Sequence, residues 1–371
     1  MRIALCMGIN DYYEHGIARG VIRYVKKQQD WKLYGYGWMF QPLENLKHWQ
    51  GDGIIARIES VSEAEQMKTI GLPVVDVAGA YTVRGFYQVN NDDYLTGEKA
   101  AEYLSGRGFS QFAYCGVSGA GWSDCRREGF IRALGCTGLP VFEQALTWWE
   151  QLEHSDDLYS WLSDLPKPLA IFACNDTAGV KISIICRELG IDVPEEISIL
   201  GVDNEDILCE LSTPTLSSIS LDCEKIGYEA AAQIHNIINA NSIQHKLSVA
   251  PGKIIERETT SVFVCDDPAV EKAVRYIQSH AIEGISVQDT ADAVFVSRRS
   301  LEKKFNRTVG KSVYSLITET RIQHAKSLLS STGKTVEAVA QESGFSTLQR
   351  FYTMFNRITG STPGEYRRRQ Q

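Results

Sequence analysis

The stretch TVEAVAQESGFSTLQRFYTMF, residues 335–355, reads as two short helices joined by a tight turn. Apolar residues recur at Val336, Val339 and Ala340, and again at Phe351 and Phe355, at the spacing of a helix face. Ala340 is small enough to let a second helix cross closely, and Gly344 suits a turn that needs positive φ. Ser346 is the expected N-cap of the second helix. Burying Phe351 and Phe355 leaves Thr347, Gln349, Arg350 and Thr353 on other faces. In a helix-turn-helix the early residues of the second helix reach base edges in the major groove. Gln and Arg have the paired hydrogen-bond geometry that suits adenine and guanine. Ser346, Thr347, Gln349 and Arg350 are therefore candidate DNA contacts, in a unit at about 336–357.

The pattern occurs a second time upstream. FNRTVGKS at 305–312 recurs as FNRITGST at 355–362, and Val287, Ala291 and Ser297 match Val336, Ala340 and Ser346. This places a first unit at about 287–307, whose recognition helix presents Ser297, Arg298, Arg299, Glu302 and Lys303. Phe295 stands where the second copy has Gly344, and a hydrophobic turn packed on the core is expected there. Residues 269–371 hold 16 Lys and Arg against 9 Asp and Glu, a balance of +7, and the remainder carries −15. A basic module on an acidic body points to a nucleic-acid-binding end and a sensing end. A merely surface-charged helical bundle would explain the charge but not the repeat.

Here a resemblance becomes specific. The second phenylalanine-bearing helix is followed by Gly360-Ser-Thr-Pro363-Gly-Glu-Tyr366-Arg367, and residues 270–369 resemble an AraC-type DNA-binding domain. The resemblance implies an all-α domain in which a long helix, here about Val313–Leu329, holds two recognition helices towards successive major grooves. Double-stranded operator DNA is the implied partner. The tail Arg367-Arg368-Arg369 suits phosphates or solvent better than bases.

Residues 1–258 have a different rhythm. Short apolar runs such as Ile3–Met7, Gly53–Ala56, Val74–Val77, Phe112–Gly116, Leu169–Cys174 and Ile197–Val202 alternate with amphipathic stretches such as Tyr94–Leu104 and Thr177–Leu189. That alternation predicts α/β architecture with parallel sheets, and seven or eight strands fit two doubly wound lobes better than one large sheet. Ligands in such sheets bind beyond the carboxyl ends of the strands. Residues 259–268 read as a linker to the helical domain at 269–371.

The motifs after these strands resemble the effector-binding core of LacI-type regulators, itself akin to periplasmic sugar-binding proteins. They are NNDDYLTGEKAAEYL at 90–104, Arg126-Arg-Glu-Gly129, CNDTAG at 174–179 and GVDNEDI at 201–207. Carried over, the resemblance makes Arg126, Asn175 and Asp203 effector contacts, with Asp92 and Asn10 after them. Sugar hydroxyls donate and accept, so carboxylates, amides and an Arg fork give specificity. Their C–H faces stack on aromatics, which makes Trp38, Trp122 and Trp148 candidates. For Asp203 the alternative is a cap or turn residue, and for each tryptophan it is ordinary packing. LacI-type regulators carry their DNA-binding headpiece before the core, whereas this chain starts at the first strand. The whole arrangement is similar to that of bacterial xylose-responsive operon regulators. It implies D-xylose as effector, a homodimer, and activation of xylose uptake and catabolism genes through RNA polymerase. The open alternatives are another sugar or a repressor.

The remaining composition narrows the class. Nine scattered cysteines without a Cys-x-x-Cys pair argue for reduced thiols in a cytoplasm and against a zinc site. No signal-peptide pattern or span-length apolar run is present, so no membrane role is expected. Gly116-Val-Ser-Gly119-Ala-Gly121 has glycines at the wrong spacing for a phosphate loop and lacks its lysine, and no nucleophile–base motif occurs. No enzyme, catalytic residue, metal or cofactor is expected.

Overall fold

Continuous aliphatic runs build the first part of the molecule, because a strand covered by helices on both faces has no polar side to alternate with. The computed structural model describes residues 1–28, 30–37, 40–80, 85–135, 141–147, 155–240, 245–265 and 267–370. The chain divides into two units, Met1–Thr260 and Ser261–Gln371.

The first unit has two lobes. The chain begins in lobe 1 with β1 (Arg2–Cys6), α1 (Tyr12–Val25), β2 (Lys32–Tyr36), β3 (Gly53–Ala56), α2 (Val61–Ile70), β4 (Val74–Asp76) and β5 (Tyr87–Asn91). It crosses to lobe 2 for α3 (Asp93–Ser105), β6 (Phe112–Val117), α4 (Gly121–Gly135), β7 (Val141–Leu146), α5 (Asp156–Asp164) and β8 (Leu169–Ala173). Lobe 2 continues with α6 (Asp176–Leu189), β9 (Ile197–Asp203), α7 (Asp206–Leu211) and β10 (Ser217–Ser220). The chain returns to lobe 1 for α8 (Cys223–Ile238) and β11 (Lys246–Val249), and crosses a third time to β12 (Ile254–Ile255). The sheet orders are β11-β5-β4-β3-β1-β2 and β12-β10-β9-β8-β6-β7. All pairings are parallel except β10 with β12. Both lobes are thus doubly wound, with strand order reversing between β1 and β3 in one and between β6 and β8 in the other. The crevice at such a reversal is where open α/β sheets bind ligands.

Each lobe is closed by one glycine-mediated helix pair. In lobe 1 a Cβ on Gly20 would lie 2.0 Å from the Glu224 carbonyl of α8, and one on Gly227 would lie 2.0 Å from the Ile17 carbonyl of α1. In lobe 2 a Cβ on Gly97 of α3 would lie 2.0 Å from the Arg126 carbonyl of α4, and one on Gly129 would lie 2.0 Å from the Tyr94 carbonyl.

The second unit is all helical: α9 (Pro268–His280), α10 (Val287–Ala293), α11 (Arg298–Val309), α12 (Val313–Ser331), α13 (Val336–Glu342), α14 (Leu348–Thr359) and α15 (Pro363–Gln370). It has two cores. Val313 and Ile317 of α12 join Val287, Ala291, Leu301 and Phe305 in the first; Ile322, Ala325 and Leu329 join Val339, Ala340, Phe351 and Phe355 in the second. The pairs α10–α11 and α13–α14 are the two helix-turn-helix units.

Three local expectations are corrected. Phe295 is not packed on the core: it is 94% exposed at φ 57°, and Val294 beside it makes the core contact. The left-handed backbone swings the side chain outward. The N-cap of α14 is Thr347, whose side chain accepts the Arg350 N–H at 3.3 Å, and Ser346 lies one residue outside. Thr259 and Thr260 belong to the first unit rather than to a linker. Thr259 donates to the Ile199 carbonyl at 2.7 Å, and the Thr260 hydroxyl donates to Ser217 Oγ at 2.7 Å.

Gly97→Ala forces α3 and α4 apart and should destabilise the first unit by about 1–3 kcal/mol. A urea denaturation series followed by far-UV dichroism checks this; unchanged stability would mean the helices separate freely.

Candidate effector crevice and nucleic-acid interface

At the lobe 1 reversal, β1 runs into a loop whose backbone amides need acceptors. Glu14 of α1 supplies them, taking the Gly8 N–H at 3.0 Å and the Asn10 N–H at 2.6 Å. Asp11 caps α1 through the Glu14 N–H at 2.8 Å. Arg57, the residue after β3, pairs with Asp11 at 2.6 Å, Glu14 at 3.2 Å and Glu59 at 2.9 Å. Tyr13, whose ring centroid lies 5.7 Å from that guanidinium, donates its hydroxyl to the Val77 carbonyl at 2.8 Å. Asn10 is exposed at the edge of this wall.

The lobe 2 wall is organised by Arg126. Its Nε donates to Asp93 at 2.8 Å and its Nη1 to the Cys174 carbonyl at 2.5 Å, and the guanidinium lies 5.0 Å from the Trp122 ring centroid. Arg126 is 4% exposed and Asp93 8%. Asp203 ends β9 with φ 109°. Burial pushes its carboxyl well above the ordinary value against the opposing pull of Arg126, and Asp176, Asp11 and Asp93 add to the rise. Asp11 belongs to the other lobe, so the two walls face one another across the crevice. They also touch where the Gly121 N–H donates to the Ala80 carbonyl at 3.0 Å. Behind Asp203, Asp176 is raised to about 6 by burial, although it accepts from Ser218 at 2.6 Å and from the Glu205 N–H at 2.9 Å.

The crevice brings together Arg126 and Asp203, with Asn175 at the end of β8. Asn175 Oδ1 caps α6 through the Ala178 N–H at 2.8 Å. Asp92 is a partly exposed cap of α3, accepting the Leu95 N–H at 3.0 Å, and the carboxylate that reaches Arg126 is its neighbour Asp93. Trp38 and Trp148 lie outside the described residues, whereas Trp122 stands against Arg126. Reading the sequence passed over Asp93, Arg57, Asp11 and Glu14. The doubled Asp92-Asp93 and an arginine directly after the GIIA strand were the available signals.

On the second unit, Ser297 caps α11 through the Ser300 N–H at 3.3 Å, and Arg298 pairs with Glu302 at 3.2 Å. Arg299, Glu302, Lys303, Ser346, Thr347 and Gln349 are exposed. Arg350 is exposed but folded back: its Nε and Nη2 donate to the Tyr314 hydroxyl at 3.2 and 2.8 Å. Among the described residues no helix is long and apolar enough to cross a membrane.

Two changes test this geometry. Asp93→Ala leaves Arg126 buried without its counter-charge and should cost about 3–5 kcal/mol of stability, read from the urea midpoint. For Asp203 the sign follows from linkage. Its folded value is raised, so above the unfolded value of about 3.9 the native chain binds more protons than the unfolded one, and stability falls as pH rises towards the folded value. Asp203→Asn removes that contribution. The ligand-free variant should match the parent near pH 4 and exceed it at pH 7–8. A variant weaker than the parent at pH 8 would show an ionised, well-paired Asp203 instead.

Family comparisons agree with this two-part build. Residues 2–98 match the XylR N-terminal domain, residues 101–260 a periplasmic binding protein-like domain, and residues 290–369 a helix-turn-helix domain. The chain is 31% identical to the xylose operon regulatory protein of Escherichia coli strain K12, over 99% of this chain and 96% of that one. It is 28% identical to the xylose operon regulatory protein of Haemophilus influenzae, over 99% and 98%. The solved structure of the xylose-binding transcription activator xylR is similar with a TM-score of 0.64 and 30% identity, over 99% of this chain and 97% of that one. With a sugar-binding type of sensor, a helix-turn-helix domain and full-length similarity together, the chain belongs to the xylose operon regulatory protein family of sugar-responsive transcription regulators.

Proposed function

We propose that this regulator senses D-xylose in the crevice of residues 1–260 and, as a cytoplasmic homodimer on operator DNA, activates xylose uptake and catabolism genes through RNA polymerase. The observation that carries the effector reading is the buried Arg126, clamped by Asp93 and the Cys174 carbonyl opposite Asp203. Nε and Nη1 are already engaged, so Nη2 is the prong left for a ligand oxygen. A fixed donor facing a carboxyl suits a ring of hydroxyls, each of which donates and accepts. Asn175 and Asp92 commit Oδ1 to helix capping and would meet the sugar through Nδ2 and Oδ2. Asn10 would close over it from lobe 1. Trp122 offers a face for the C–H side of the ring, a role Trp38 would share.

Two relatives named for the xylose operon and a xylose-binding activator support the choice of sugar. Closure of the lobes on the effector would change the presentation of the 269–371 domain to DNA. A coupling of about 1–3 kcal/mol shifts DNA affinity roughly 5–150-fold.

The test is thermal melting of the full chain with D-xylose, L-arabinose, D-ribose or D-glucose. Xylose at about 100 times its dissociation constant stabilises the sensor by roughly 2.7 kcal/mol, a shift of several degrees. Arg126→Met should abolish the shift. A shift with a different sugar alone would overturn the xylose reading, and an unchanged DNA affinity at saturating xylose would overturn the coupling.

A further inference from the structure

Between the two helix-turn-helix units lies a cleft of about 500 Å³, lined among others by Arg298, Tyr314, Arg321, Ser346 and Arg350, with Glu283 as its one carboxylate. Two of these cations are held by neutral oxygens. Arg321 donates to the carbonyls of Ala281 and Ile285, both at 2.7 Å, and Arg350 donates to the Tyr314 hydroxyl. The Arg350 guanidinium lies 5.3 Å from the Tyr314 ring centroid. Burial and the nearness of Arg350 both lower the pKa of Arg321, against an opposing pull from Tyr314, so the two guanidiniums face one shared space.

The position of the cleft names the anion. Arg298 opens α11 and Ser346 precedes α14, so the cleft sits between the starts of the two recognition helices. DNA entered by both helices in successive major grooves must carry its backbone across that gap. At 3.6 residues per turn, burying Phe351 and Phe355 with Met354 packed beside them points Gln349 and Thr353 outward and Arg350 to the flank, where Tyr314 holds it.

We propose that this cleft seats a phosphate of the DNA backbone between Arg350, Tyr314 and Arg321, so that Arg350 supplies affinity and Gln349 supplies base choice. The proposal rests on the DNA-binding reading and revises the sequence-based expectation that Arg350 reads a base. A hydroxyl and two fixed guanidiniums suit a phosphate's tetrahedral oxygens.

The experiment uses the full chain, a duplex it selects from a random library, and a shuffled duplex of equal length. Arg350→Gln should weaken both by the same factor, roughly tenfold, and lower the slope of log affinity against log salt by about 0.9. Tyr314→Phe should produce a smaller loss of the same uniform kind, with melting temperature as the check on folding. Gln349→Ala should instead weaken the selected duplex alone. Loss confined to the selected duplex with Arg350→Gln would make Arg350 a base reader and overturn the proposal. So would unchanged binding of both duplexes. If the parent chain enriches no duplex, the DNA-binding reading itself fails and takes this proposal with it.

Discussion

A guanidinium with almost no access to water has to be satisfied by the protein, and Arg126 sets the geometry of the second lobe for that reason. It ties the start of α3 through Asp93, the end of β8 through the Cys174 carbonyl, and the end of β9 through the field it exerts on Asp203. Desolvating such a cation is tolerable only with a paired anion and further acceptors. The close helix crossing is part of the same arrangement. Gly97 lies about one turn beyond Asp93 and allows α3 to approach the Arg126 backbone itself, which brings the Asp93 carboxylate within reach. The glycine contact and the ion pair are one constraint seen from two sides.

Lobe 1 solves the same problem in a wetter place. It has the same strand order, the same kind of glycine-closed helix pair, and one arginine at the strand reversal. Arg57 remains partly accessible and collects three carboxylates, Asp11, Glu14 and Glu59. That network organises the β1–α1 loop around a buried carboxylate, Glu14, while its cation keeps some access to water. In lobe 2 burial pushes Asp203 and Asp176 towards their neutral forms, and in lobe 1 it does the same to Asp76.

Doubly wound lobes and paired helical units were legible because aliphatic strands and a repeated motif leave plain periodicities. The strands that escaped reading did so for a physical reason. In β10 the serines serve as internal hydrogen-bond partners, Ser217 Oγ to the Arg257 carbonyl and Ser218 Oγ to Asp176, so the run looks like a loop. β7 and β11 are edge strands with exposed positions, and β5 ends in Asn90-Asn91. At the site, the resemblance to LacI-type cores pointed to Arg126, Asn175 and Asp203, but choosing between Asp92 and Asp93 needed the packing of α3 on α4. The tyrosine that turns Arg350 aside is 36 residues away in sequence, and no local pattern announces it.

In the second unit, the two copies need not share a turn solution because α12 does the aligning. Gly344 has both a positive φ and a neighbour, the Ile282 carbonyl, 2.6 Å from where a Cβ would sit, so only glycine fits. Phe295 has the positive φ without the crowding: its side chain points into open solvent. What fixes the copies relative to one another is a single 19-residue helix that contributes one half to each core. Its length of about 28 Å is close to the 34 Å or so between successive major grooves on one face of DNA. Arg321, at the midpoint, fastens that helix to the carbonyls of the segment between α9 and α10. One residue inserted near it would rotate the second core by about 100° about the α12 axis, turning α14 away from the face that α11 presents. The repeat therefore tolerates a variable turn but not a variable α12.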